Sequence, residues 1–196
     1  KGALKSYKKA LKITYKVENF ESEMLRANVL NNIGVSYVNL KEYELAESYA
    51  IASMEQKKML GQESSIGYCY QVLAKSAYGR AKFDLAIKYL EQDDKKFVIL
   101  LNQDEIDGNH FIRAKCYLAK GRLEKSRDIL VSIEEVYLDR FSKSEQAEFY
   151  ETLSSVYQRM GDLKLANDYL RVTLKLRKEI DVKNDKKIVG EFVDFI

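Results

Sequence analysis

A chain of 196 residues with 46% apolar side chains can bury a sizeable core and is too apolar for wholesale disorder. Its formal charge is only +3 with acids and bases interspersed, which argues against a dedicated nucleic-acid surface. No apolar run nears the roughly 18 residues of a membrane span, and no signal peptide is visible.

The complete absence of proline suits uninterrupted helices, and alternating strand patterns are hard to find, so the expected class is all-α. In chain order, Lys1–Val17 reads as the second helix of a pair whose first helix is cut off. A start at Lys1-Gly2-Ala3 without methionine is what an excised fragment would show. Helix pairs are then expected at 21–39 with 42–59, 64–79 with 82–97, 104–119 with 122–136, and 143–160 with 162–180. Asp181–Lys183 is read as a break, and Asn184–Ile196 as a last helix with an apolar face of Ile188, Val189, Phe192 and Val193. Such a helix would cap the array or link it to a further domain.

An internal repeat organises these pairs. Each second helix opens on a small residue, at Ala46, Ala86, Ser126 and Ala166, and the interval is 40 residues each time. Ala3 fits the same slot one repeat earlier, at 43 residues. The first helices match as well: Leu30-x-x-Ile33-Gly34-x-x-Tyr37 is the clearest, followed by Tyr150-x-x-Leu153-Ser154-x-x-Tyr157, then Tyr70-x-x-Leu73-Ala74-x-x-Ala77. His110-x-x-Arg113-Ala114-x-x-Tyr117 is the most degraded copy. Gly34 and Ala46 stand where two helix backbones must come close. Gly121 and Gly161 stand where a helix end favours a left-handed residue. Tyr43, Phe83, Leu123 and Leu163 follow each turn and would pin it to the core.

This pattern resembles the tetratricopeptide repeat (TPR) from Ala3 to about Lys178, without its tryptophan and terminal proline and with a period of 40 residues instead of about 34. The extra length is roughly a turn and a half of helix. The resemblance implies a right-handed superhelical solenoid of antiparallel helix pairs, forming a single domain over 1–196. It also implies a concave groove lined by the first helices. The spacing and the core around Leu30–Gly34 are similar to arrays in bacterial sensor kinases, regulators and peptide-pheromone receptors. A cytoplasmic protein- or peptide-binding scaffold in signalling is therefore expected. The competing expectation is a structural module that self-associates or scaffolds a complex.

Counting along the first helices places Asn28, Asn31, Asn32, Val35 and Asn39 on the groove face of the first full pair. The second offers Tyr68, Gln71, Lys75 and Tyr78, and the third Phe111, Lys115 and Leu118. The fourth offers Glu148, Glu151, Ser155, Gln158 and Arg159. Asparagine and glutamine amides both donate and accept, so they can hold an extended backbone without demanding its sequence. Lys75 and Lys115 recur one repeat apart, but Val35 and Ser155 hold the equivalent places, so a carboxylate clamp is incomplete.

Catalysis, cofactor and metal find no residue set. His110 is the only histidine and sits at a packing position. Cys69 and Cys116 are 47 residues apart and read as small buried hydrophobes in a reducing compartment. No glycine-rich phosphate loop and no serine elbow occurs.

Overall fold

In the computed structural model the backbone is described over 2–100, 103–136 and 141–193, and side chains over 2–93, 108–134 and 141–181. Nine helices and one short 3-10 turn make up the described elements, with no strand among them. They are α1 (Gly2–Thr14), α2 (Phe20–Asn39), α3 (Tyr43–Met59), the 3-10 turn Glu63–Ile66, α4 (Gly67–Gly79) and α5 (Phe83–Leu100). Then come α6 (Gln103–Ala119), α7 (Leu123–Val136), α8 (Lys143–Met160) and α9 (Leu163–Val193). The chain divides into two compact units, Lys1–Cys116 and Tyr117–Ile196.

In the first unit α2 pairs with α3 and α4 with α5, while α1 packs on α2 and α3 on α4. Val29, Ile33 and Tyr37 of α2, Ala46, Ala50 and Met54 of α3, and Cys69, Val72 and Leu73 of α4 form one core. Ala74, Ala77, Ala86, Leu90, Ile112 and Cys116 form the next. In the second unit α8 pairs with α9, and α7 packs on α8. There Tyr169 stacks on both Tyr150 and Tyr157, with ring centroids 5.8 and 5.6 Å apart, and its hydroxyl donates to Glu134.

The repeat spacing is a packing device. Ala46, Ala86 and Ser126 are fully shielded and Ala166 is buried. A Cβ on Gly34 would stand 3.1 Å from Val72 Cγ1 and 3.3 Å from the Ala46 carbonyl oxygen, so only a small residue lets α2 and α3 approach this closely. Three repeats later Ser154 donates its hydroxyl to the equivalent carbonyl, that of Ala166, at 2.8 Å. One site thus accepts either no side chain or a short donor that satisfies the same oxygen.

The turns inside the pairs close in the same way. Lys41, Ala81, Gly121 and Gly161 all have positive φ, at 61°, 58°, 74° and 87°. At each one the following amide donates back to a carbonyl five residues earlier: Glu42 to Tyr37, Lys82 to Ala77, Arg122 to Tyr117 and Asp162 to Tyr157. This six-to-one closure is the Schellman motif, which requires a left-handed residue. Lys41 and Ala81 carry a Cβ there and hold a conformation that costs about 1–2 kcal/mol in an L-residue. Ala81→Gly is therefore expected to stabilise the first unit by about 0.5–1 kcal/mol, after discounting the extra freedom glycine gives the unfolded chain. Gly121→Ala should act in the opposite direction, and thermal melts of the two variants check both signs.

Two expectations are corrected. Ala3 is exposed, and α1 packs through Leu4, Tyr7, Ala10 and Leu11 instead, so Ala3 does not occupy the close-approach slot. The expected break at Asp181–Lys183 is absent, because the backbone of α9 runs unbroken from Leu163 to Val193. Neither proline nor glycine occurs at 181–183, and aspartate, valine and lysine each cost a helix well under about 1 kcal/mol. The side chains of Ile188, Val189, Phe192 and Val193 lie outside the described residues.

Candidate functional site

The first helices of the first unit position most of the candidate groove residues. On α2, Asn28, Asn32 and Asn39 are exposed and Val35 is 40% exposed, whereas Asn31 is buried at 8%. On α4, Lys75 is exposed, with Tyr68, Gln71 and Tyr78 half-buried. On α6, Phe111 is buried and Lys115 half-buried. Helix α2 is packed by α1, α3 and α4 together. Its buried arc is accordingly wider than the stripe left by a single partner, and it takes in Asn31.

Three of these residues come together. The Lys115 ammonium lies 5.2 Å from the centre of the Tyr78 ring and 4.7 Å from that of Phe111. Two aromatic faces on one ammonium hold it by attraction to their negative quadrupoles. Tyr78 also meets Phe83 across the following turn, with centroids 5.8 Å apart, so a second ring contact helps hold it in place. Tyr68 is not part of this cluster: its ring faces the Lys57 ammonium at 5.7 Å.

In the second unit two candidates are engaged in packing. Glu151 pairs with Arg177 of α9 at 2.6 Å, and Arg159 donates to the Leu118 carbonyl at the end of α6, also at 2.6 Å. Gln158 is exposed. Glu148, Glu151, Arg177 and Asp181 border a recess between α8 and α9.

Two features escaped the sequence reading. Lys57 is 1% exposed, its ammonium donates to the Ser65 carbonyl at 2.9 Å, and burial pushes its pKa below the ordinary lysine value. Beside it, burial raises the Cys69 thiol, whose sulfur donates to the Ser53 hydroxyl. Nothing in the local pattern marks Lys57, which sits among Gln56, Lys58 and Met59 like any surface lysine. The second feature was legible: residues 1–17 hold six lysines and no acid. Lys5, Lys8, Lys9 and Lys12 with Leu4 line an open recess on α1, where the Lys8 ammonium stands 5.3 Å over the Tyr37 ring.

Among the described residues no group of three histidine, cysteine, aspartate or glutamate side chains could hold a metal ion. None of the described helices is long and apolar enough to cross a membrane. Neither cysteine is in a disulfide.

Residues 27–57 match the family model of the tetratricopeptide repeat. Among solved structures, the chain is similar to the Rap conjugation gene regulator of plasmid pLS20 in complex with the Phr* peptide, at 18% identity and a TM-score of 0.76, over 91% of this chain and 48% of that one. The apo form of RapI matches at 15% identity and a TM-score of 0.69, over 90% and 48% of the two chains. A signal-transduction ATPase with a tetratricopeptide repeat sensor, from Pyrococcus horikoshii, matches at 23% and 0.66, over 96% and 29%. The chain therefore spans about half the length of the Rap regulators it matches. No curated protein matches it by sequence. At these identities the likeness is one of fold: all-α helix pairs of the TPR solenoid kind.

Proposed function

We propose that this chain, a tetratricopeptide-repeat protein, is a non-catalytic module that binds an extended peptide or partner segment along α2, α4 and α6. The observation carrying this reading is the Lys115 ammonium between Tyr78 and Phe111, one repeat beyond the exposed Lys75. A cation already oriented by two rings needs little further ordering to meet a ligand carboxylate or carbonyl. Exposed Asn28, Asn32 and Asn39 and half-buried Gln71 add amides that both donate and accept along the same helices. The peptide in the pLS20 Rap regulator supports the ligand class. The wider role is that of the sensor or interaction region of a bacterial signal-transduction or transcription-regulatory protein, in the cytoplasm.

The test is selection of random peptides on the chain, followed by fluorescence anisotropy of the selected ones. Asn32→Ala, Lys75→Ala and Lys115→Ala together are expected to weaken binding at least about tenfold, the equivalent of roughly 1.4 kcal/mol. Lys164→Ala, on exposed α9 surface, should leave it unchanged. Selected peptides that bind the triple variant as well as the parent would remove the groove from consideration.

A second reading, assembly through an end face, is favoured by one observation. Ile13, Tyr15, Val17, Phe20 and Leu25 are each between 41% and 60% exposed around the α1–α2 connection. Sedimentation at rising concentration decides it: a constant monomer mass rules self-assembly out.

A further inference from the structure

The second helices of the pairs can be compared position by position. Helix α1 turns Tyr7, Ala10, Leu11 and Thr14 toward the core, and 43 residues on stand Ala50, Ser53, Met54 and Lys57, all buried on α3. In this register Lys5, Lys8 and Lys12 correspond to Ser48, Ile51 and Glu55. Those three stay exposed on α3 although α2 and α4 both pack against it. The lysines therefore occupy a face that points away from either neighbour of a second helix. On α5 the same face carries Lys88 and Glu91, and on α9 Asp168, Arg171 and Lys175, all exposed. Those faces mix charges. On α1 the face is purely cationic.

Lys5, Lys8, Lys9 and Lys12 follow one another at 3, 1 and 3 residues, which confines them to an arc of about 100° on the helix. Residues 1–17 hold six of the 33 basic side chains and none of the 30 acids. The other 27 bases and the 30 acids balance to −3, so this one segment supplies the whole positive excess of the chain. The Lys8 ammonium is held 5.3 Å over the Tyr37 ring, and Lys5, Lys9 and Lys12 are exposed beside it.

The side chains present select among anionic partners. All six cations are lysine, a compact hydrated point charge without the planar fork by which arginine grips a single phosphate or carboxylate. A row of such charges suits a diffuse sheet of negative charge better than one anionic group. At the C-terminal end of the stripe Ile13, Tyr15, Val17 and Phe20 are each between 41% and 60% exposed. The Arg26 guanidinium lies 4.4 Å from the centre of the Tyr15 ring, which fixes that ring and adds a cation at the same end. Beside a polyanion dissolved in water such apolar tips stay wet. At a lipid surface they enter the boundary between headgroups and acyl chains, where aromatic side chains are favoured.

We propose that α1 and the α1–α2 connection form a docking surface for an anionic lipid bilayer. The lysine stripe lies over acidic headgroups, and Ile13, Tyr15, Val17 and Phe20 enter the interface. This contact lies on the bilayer and does not span it. The attraction falls off within a Debye length, so salt weakens it.

The test is co-sedimentation of the 1–196 chain with vesicles of phosphatidylcholine alone and of an equal mixture of phosphatidylcholine and phosphatidylglycerol. Binding to the mixed vesicles is expected to be at least about tenfold tighter, and to weaken as salt is added. Lys5→Glu, Lys9→Glu and Lys12→Glu together should abolish it while circular dichroism stays that of the parent, since all three side chains are exposed. Lys58→Glu, Lys88→Glu and Lys164→Glu change the net charge equally on other exposed surface and should leave most of the binding in place. Phe20→Ser should weaken binding without altering its salt dependence. Equal binding to both vesicle types, or equal loss in the two triple variants, overturns the proposal. So does tighter binding of polyglutamate or of a DNA duplex through the same α1 lysines, because that assigns the stripe to a dissolved polyanion.

Discussion

Phe149→Ala is expected to cost the second unit about 3–5 kcal/mol, the usual loss when a fully buried aromatic is cut back to a methyl group. Phe149 is completely shielded, and its ring meets Phe141 edge-on at 6.3 Å and Tyr150 edge-on at 5.5 Å. The unit runs from Tyr117 to Ile196, so at ordinary densities of stability its whole margin is roughly 4–12 kcal/mol. A loss of this size removes a large part of that margin. The neighbouring α8 backbone cannot collapse into the void easily, because Ser142 and Glu145 cap its start reciprocally and Gly161 closes its end in the left-handed conformation. Hydrogen exchange resolves the prediction by location. Amides of α8 and the adjoining part of α9 should lose protection, and those of α2 to α4 should keep theirs. Equal loss in both units would show that Phe149 supports more than the core in which it lies.

The equivalent positions in earlier repeats are Val29, Cys69 and Asn109, all buried. One structural position therefore accepts side chains from cysteine to phenylalanine. This is why the repeat was legible in its spacing and much less so in its residue identities. Where two backbones touch, the constraint is severe and the sequence shows it: Ala46, Ala86, Ser126 and Ala166 stand at equal intervals because a larger residue would separate the helices. Where side chains fill a volume, neighbours compensate and the pattern blurs. The turns show the same contrast. Gly121 and Gly161 announced the left-handed position, while Lys41 and Ala81 adopt it without any local sign, since closure by the flanking hydrogen bonds imposes it.

The proposed binding face was legible only in outline. Helical counting finds which residues lie opposite one partner, and it located Asn32, Lys75, Tyr78 and Lys115 on exposed or half-buried surface. It cannot find partners distant in sequence. Arg159 reaches a carbonyl 41 residues away and Glu151 an arginine 26 residues away, and neither link leaves a local pattern.

Lys57 supplies the second large effect, and it turns on burial. Its ammonium is nearly inaccessible, with the Ser65 carbonyl and the Tyr68 ring as its partners, so desolvation holds its pKa below the ordinary lysine value of about 10.4. The sign of the pH dependence follows. Between the lowered folded pKa and the unfolded value the unfolded chain binds more protons, so stability rises with pH through that window. Below the folded pKa the full cost of the buried charge is present and constant. Lys57→Met should remove the alkaline rise and leave stability at neutral pH equal or higher by about 1 kcal/mol, because the thioether fills the same channel without a charge. Lys57→Glu should cost about 3–5 kcal/mol, since it sets a buried carboxylate against the Ser65 carbonyl oxygen, an acceptor facing an acceptor. Urea unfolding of both variants and the parent, at neutral and alkaline pH, separates charge from shape. If Lys57→Met loses as much as Lys57→Glu, the bond to Ser65 outweighs the desolvation it requires, and the lysine anchors the turn between α3 and α4.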